Sequence, residues 1–163
     1  MIFYPNLYLN NVKEIDLELL KKNNIQGLIL DVDNTLIDYY RTMLDGIEKW
    51  CKDLKNSGIK MCIVSNTNKI DKVKKVANTL DIPFISFAKK PSRRGLRKAM
   101  AILELEAEAV AVVGDQIMTD ILGGNRAGMF TILTKPLDKK DIFITKVKRP
   151  FEKMIIRRYL KKG

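Results

Sequence analysis

Five short polar clusters in this chain have residue types and an order that can do chemistry. Two aspartates stand two apart in Asp31-Val32-Asp33, ahead of Asn34 and Thr35. Then come Ser65-Asn66-Thr67, Lys89-Lys90-Pro91, Gly114-Asp115-Gln116 and, five residues past Asp115, Asp120. Four aspartates gathered in one place repel one another unless something neutralises them. Mg²⁺ suits that task, because it prefers carboxylate, carbonyl and water oxygens and keeps positions open for a phosphate oxygen. Lys90 adds a positive charge and Ser65 a hydroxyl. The set fits a phosphoryl group, whose transfer depends on positioning and charge neutralisation. Side chains two apart on an extended strand share a face. One carboxylate of the Asp31–Asp33 pair can therefore attack phosphorus, while the other protonates the leaving oxygen and later takes a proton from water. No GxxxxGKS or GxxxxGKT loop is present, which excludes a P-loop nucleotide site.

Each cluster has an ordinary reading as well. Asp33 and Asn34 suit a polar turn, Ser65 and Asp120 suit helix N-caps, and Lys89 and Lys90 suit solvated surface charges. Asp115 is harder to dismiss, since an unpaired carboxylate at the end of an apolar strand is costly.

Stepping along the chain, the elements that would position these residues are legible. Apolar runs at 26–32, 60–65, 83–88, 109–113 and 130–133 read as strands buried on both faces. Helical periodicity covers 45–55, with Gly58 as a stop, then 68–80, 93–105 and 120–127. Strands alternating with helices make a parallel sheet with right-handed crossovers and helices on both faces. In such a sheet ligands bind beyond the carboxyl ends of the strands, where every one of the polar clusters falls.

With 163 residues, 46% hydrophobic and 30% charged, the composition is that of one globular domain. There is no histidine, and the two cysteines, Cys51 and Cys62, form no CxxC, which excludes zinc fingers, His-based triads and a disulfide scaffold. No apolar stretch suits a transmembrane helix and the first residues do not resemble a signal peptide, so a reducing, cytoplasmic location is expected. The net charge of +11 is uneven: residues 146–163 carry eight cations against Glu152 alone, a net of +7. Phe151, Met154, Ile155 and Tyr159 recur there at helical spacing. A basic amphipathic helix suits anionic lipid or nucleic acid, and equally a terminal helix docked on the core.

The polar clusters, taken together, resemble a known family. Leu30-Asp31-Val32-Asp33-Asn34-Thr35-Leu36 is similar to the first motif of the haloacid dehalogenase (HAD) superfamily, Val64-Ser65-Asn66 to its second, Lys90 to its third, and Gly114-Asp115 with Asp120 to its fourth. Pro5-Asn6-Leu7-Tyr8, Lys90-Pro91 and the run Gly114 to Gly128 narrow the resemblance to the YqeG branch of subclass IIIA phosphatases, related to mitochondrial phosphatidylglycerophosphate phosphatases. The resemblance implies an α/β, three-layer Rossmann-like HAD fold, with about five parallel strands. It also implies roles. Asp31 would be the nucleophile and Asp33 the general acid/base. Mg²⁺ would be held by the Asp31 carboxylate, the Asp33 carbonyl and Asp115. Ser65 and Asn66 would bind the phosphoryl group, Lys90 would balance its charge, and Asp120 would anchor Lys90 or a metal-bound water.

HAD enzymes often insert a cap domain between the first and second motifs or the second and third. Here 34 residues separate Asp31 from Ser65 and 25 separate Ser65 from Lys90, too few for a cap beside the helices and strands already counted. An uncapped mouth cannot close over a small metabolite, unless a neighbouring subunit covers it. It can receive a phosphate presented on something large. The expectation is a phosphatase domain over 1–145 with the basic helix 146–163 in the same domain or appended. The substrate expected is a lipid headgroup phosphate, phosphatidylglycerophosphate, reached through peripheral contact of 146–163 with the inner face of the membrane. The alternatives are soluble phosphate esters, nucleic-acid 3′-phosphates, or a non-catalytic role in which the tail holds RNA.

Overall fold

The computed structural model describes residues 1–138 and 143–163, with side chains in the last helix described from Arg149 onward. Lys146 and Lys148, two of the tail's cations, thus have side chains outside the described residues. Six strands form one sheet: β1 (Leu7–Leu9), β2 (Gly27–Leu30), β3 (Lys60–Val64), β4 (Phe84–Ile85), β5 (Val110–Gly114) and β6 (Phe130–Thr134). Their order is β1-β6-β5-β2-β3-β4, and every pairing is parallel. The helices are α1 (Leu17–Lys22), α2 (Ile47–Asn56), α3 (Ile70–Leu80), α4 (Arg93–Leu103), α5 (Leu122–Arg126) and α6 (Phe143–Leu160).

The central strands are buried on both faces, and their alternation builds two cores. Leu28, Leu30, Met61, Ile63, Ala111 and Val113 turn to one side, against Ile47, Cys51 and Leu54 of α2 and Val73, Val76 and Leu80 of α3. Ile29, Cys62, Val64, Val110 and Val112 turn to the other, against Leu96, Ala99 and Leu103 of α4. The period of two along each strand thus produces the three layers.

Three details depart from the pattern read in the sequence. The sheet has a sixth strand, β1, which pairs Leu7, Tyr8 and Leu9 with Ile132, Leu133 and Thr134 of β6. Three half-buried residues among asparagines carry too short a pattern to register. The helix expected over 120–127 begins earlier, as a π-helical turn at Ile117–Ile121 that runs straight into α5. Asp120 therefore sits inside a helical turn and is not its N-cap. Ser65 is not an N-cap either: its hydroxyl accepts from the Thr67 N–H at 3.2 Å, several residues before α3.

The C-terminal helix docks on the core. Ile155 is buried with Ile117, Ile121 and Leu133, and Phe3, Tyr4 and Tyr8 pack on the same cluster. Phe3 and Phe151 meet edge to face, as do Tyr4 and Tyr159. Among the described residues no helix is long and apolar enough to cross a membrane.

Candidate active site

The carboxyl ends of β2, β3 and β5 lie side by side, because Leu30 is in register with both Ile63 and Val113. The chain leaves β2 through Asp31, whose N–H is still tied to the Val113 carbonyl at 3.0 Å. Asp31 therefore points from the rigid centre of the sheet. Beside it, the Lys90 ammonium donates to Asp31 Oδ1 at 3.1 Å, to Asp120 Oδ1 at 2.7 Å and to the Val64 carbonyl at 2.7 Å. Lys90 is buried and Lys89 exposed, which settles which lysine faces the carboxylates. Lys90 is also held from its backbone. The Asn66 amide accepts from the Lys90 N–H at 2.6 Å and donates to the Lys90 carbonyl at 3.0 Å.

Asp120 is fully buried and both its oxygens are engaged, Oδ1 by Lys90 and Oδ2 by the Gln116 N–H at 3.2 Å. It reaches this position through Gly114: a Cβ there would collide with the Asp120 carboxyl group. The glycine of the Gly-Asp pair makes room for the fourth aspartate.

Asp115 is held from the C-terminal helix. Its side chain is inaccessible to solvent, and Arg149 of α6 donates to Asp115 Oδ2 at 2.8 Å and to the Asp115 carbonyl at 3.1 Å. The same guanidinium reaches Glu152 at 3.2 Å, and Glu152 accepts from the Met118 N–H at 3.2 Å. Thus α6 clamps the loop that carries Asp115. Asp115 Oδ1 is buried and finds no hydrogen-bond partner among the described residues.

The electrostatics of the cluster are strained. Burial, then the Asp120 charge, push the Asp31 carboxyl up to about 7 against the pull of Lys90. Burial, then Asp31 and Asp120, raise Asp115 well above the usual carboxylate range, with Arg149 opposing. Burial alone would lower Lys90, but Asp120 and Asp31 outweigh it and hold it firmly protonated. Carboxylate oxygens of Asp31, Asp115 and Asp120 lie within 4.8 Å of one another, close enough for one cation. A crowded acidic trio with an orphaned buried oxygen fits a divalent metal.

The site residues expected from the sequence divide into two groups. Asp31, Asn66, Lys90, Asp115 and Asp120 come together as described. Ser65 is buried at the end of β3 beside them, its N–H on the Ile85 carbonyl. Asp33 stands apart. Its side chain is 47% exposed, and its carboxylate is gripped by Lys72 at 2.7 Å. Three residues escaped the sequence reading: Lys72, Arg149 and Glu152. Lys72 carried no local signal. Glu152 did carry one, as the single acid in a strongly basic helix next to the apolar stripe.

Parallel strands, a Lys–Asp cluster at their carboxyl ends and short inter-motif loops define a family. Residues 40–128 match the haloacid dehalogenase-like hydrolases, and the chain belongs to that family. Within it, the chain is 40% identical over 162 residues to the probable phosphatase YqeG of Bacillus subtilis, covering 99% of this chain and 94% of that protein. This places it among the HAD-type phosphatases. A second relative is phosphatidylglycerophosphate phosphatase 1 of Arabidopsis thaliana, 27% identical over 172 residues; the chain spans about half of it, 49%. Among solved structures, the cobalt-bound deoxy-D-mannose-octulosonate 8-phosphate phosphatase of Haemophilus influenzae superposes with a TM-score of 0.55 at 17% identity. The match covers 85% of this chain and 91% of that one, a likeness of fold.

Proposed function

We propose that this HAD-type phosphatase hydrolyses phosphatidylglycerophosphate, a phosphomonoester on a lipid headgroup, through an aspartyl-phosphate on Asp31. The observation that carries the chemistry is the buried Asp31–Lys90–Asp120 chain beside Asp115. The Asp31 carboxylate attacks phosphorus and the ester P–O bond breaks, with Asp33 passing a proton to the departing oxygen. Water then attacks the aspartyl-phosphate, Asp33 takes its proton, and inorganic phosphate leaves with Asp31 restored. Asp33 enters the first step with a proton taken from solvent, to which its side chain is 47% exposed, and Lys72 grips its carboxylate once that proton has passed. Lys90 sits against Asp31 to balance charge on the transferring group, with Asp120 keeping its ammonium pointed there. Ser65 contributes its hydroxyl and Asn66 its backbone N–H, because both ends of the Asn66 amide are engaged by Lys90.

Asp31, Asp115 and the Asp33 carbonyl are the groups that would hold Mg²⁺. Bound there, the ion would offset the carboxylates and polarise the phosphoryl oxygens. Residues 1–145 are the phosphatase domain and 146–163 belong to the same domain, a reading supported by the burial of Ile155 on the core. Lipid as substrate is supported by an uncapped mouth, which suits a phosphate presented on a large body, and by the likeness to the plant phosphatase.

The test is phosphate release from phosphatidylglycerophosphate in mixed micelles, with Mg²⁺ and with EDTA, alongside Asp31→Asn. Release that needs Mg²⁺ and vanishes in the variant is the expected result. Turnover of soluble sugar phosphates or 3′-phosphorylated oligonucleotides without the lipid would refute the substrate and leave the chemistry standing.

A further inference from the structure

Ten large apolar side chains are exposed among the described residues, and part of them gather in one place. Four of them, Tyr39, Tyr40, Ile70 and Phe87, are 56%, 64%, 46% and 53% exposed, and all occupy segments that follow strand ends around the mouth. Tyr39 and Tyr40 form the tip of a tight turn after β2. That turn is closed by Asp38 N–H to Thr42 carbonyl at 3.0 Å and by the Asp38 carboxylate accepting from the Thr42 N–H at 2.9 Å. Arg41 of this turn lines one hollow with Asn68, Lys69, Ile70, Asp71 and Lys72 at the start of α3, three cations against one acid. Phe87 joins the same edge, since its N–H donates to the Thr67 carbonyl at 3.3 Å. Lys89 is exposed two residues further on. Beyond Lys90, Arg93, Arg94, Arg97 and Lys98 line a second hollow with Arg126 and Ser92, with no acid among the described residues of its wall.

We infer that the protein docks on an anionic lipid bilayer through this rim, and not through the outer face of α6. The inference rests on the lipid-phosphate reading above. Apolar tips flanked by cations suit the interface of an anionic membrane, where rings and aliphatic groups enter below the headgroups and basic side chains meet their phosphates. Rim docking also turns the Asp31 carboxylate toward the bilayer, as a substrate embedded there requires.

The α6 surface does not achieve this. Ile155 of its apolar stripe is buried, and Tyr159 is held against Tyr4 and the Asn6 carbonyl. Its outer face still shows Phe151, Met154 and Leu160 among cations. Yet the helix ends beside Asn6, just ahead of β1, at the end of the sheet where strands enter. Its Arg149 sits on Asp115, so the outer face runs down the flank of the sheet from the mouth to Asn6, and a membrane on it would lie side-on to the carboxylates.

The test uses the full chain and vesicles of phosphatidylcholine with or without phosphatidylglycerol. A rim variant, Tyr40→Ser with Ile70→Ser and Phe87→Asn, is compared with a tail variant, Lys153→Glu with Arg157→Glu and Arg158→Glu. Asn is chosen at position 87 because it tolerates the positive φ found there, 52°. Both variants should hydrolyse a soluble aryl phosphate at the wild-type rate, which verifies their fold. The expected result is that wild type sediments with the anionic vesicles alone, and that the rim variant binds them at least about tenfold more weakly while the tail variant changes less. Loss confined to the tail variant overturns the inference, as does wild-type protein that ignores anionic vesicles or that RNA displaces from them. The two readings separate in micelles. Lipid turnover there combined with unaltered vesicle binding by the rim variant defeats the docking face alone. Aryl phosphate turnover without any lipid turnover defeats the substrate.

Discussion

Replacing Arg149 with methionine tests whether the C-terminal helix is part of the active site. The guanidinium makes contacts of 2.8 and 3.1 Å to Asp115 and 3.2 Å to Glu152, whose side chains are 0% and 3% exposed. Taking one partner from a buried ion pair costs about 3–5 kcal/mol. Proton uptake by the abandoned carboxylates returns part of that, leaving a net of about 2–4 kcal/mol. For a chain of this size each kcal/mol moves Tm by about 2–4 °C, so Arg149→Met should melt about 5–15 °C below wild type in EDTA. Mg²⁺ at a hundred times Kd should stabilise either protein by about 2.7 kcal/mol, and the variant by more than wild type, because without the guanidinium the Asp115 carboxylate is a stronger ligand. The gap between variant and wild type should therefore narrow with the metal present. Arg157→Met, exposed on the same helix, serves as control and should move stability by less than about 0.5 kcal/mol. The assay is thermal unfolding at neutral pH with and without Mg²⁺. A variant that melts with wild type in EDTA, or a gap that Mg²⁺ leaves unchanged, would refute the reasoning.

Other perturbations read different parts of the site. Gly114→Ala forces a Cβ into the Asp120 carboxyl group and should cost more than about 3 kcal/mol by denaturant titration; a cost below about 1 kcal/mol would count against it. Asp120→Asn keeps the shape but weakens the grip on Lys90, so kcat should fall by at least about tenfold with little change in KM; a pure KM effect would contradict a positioning role. The pH dependence of the metal-free protein follows from carboxyls whose folded values are raised, with Asp31 at about 7 and Asp115 and Glu152 also displaced upward. Such groups bind protons more tightly when folded. Stability should rise as pH falls from about 8 toward about 5, as these groups take up protons ahead of their unfolded counterparts. Melts in EDTA that show a steady loss over that interval would overturn this. Mg²⁺ competes with those protons, so its stabilising effect should weaken below about pH 6 by the same melts.

Much of this protein was written in the linear pattern. The alternation Leu28-Ile29-Leu30 or Ala111-Val112-Val113 states that a strand is covered on both faces, and its placement in a βα repeat makes the sheet parallel. Because ligands bind where such strands end, Asp31, Ser65, Lys90 and Asp115 could be gathered into one mouth before any coordinate was known. Local spacing is enough for that, since Asp31, Ser65 and Asp115 directly follow their strands and Lys90 lies five residues past β4. Tertiary structure decided what spacing cannot reach. Whether Asp120 caps a helix or grips Lys90 depended on a contact across 30 residues. That Asp33 pairs with Lys72, and that Asn66 holds the Lys90 backbone, depended on contacts across 39 and 24 residues. The three-residue β1 exists because β6 offers it an edge, and periodicity has nothing to measure over so short a run. The basic tail is the sharpest case. Its amphipathic pattern was compatible with a membrane, a nucleic acid or the protein's own core, because all three reward the same stripe. Burial of Ile155 and the ion pair from Arg149 to Asp115, 34 residues away, seat the stripe on the core and make the helix a wall of the site, while its basic outer face stays exposed.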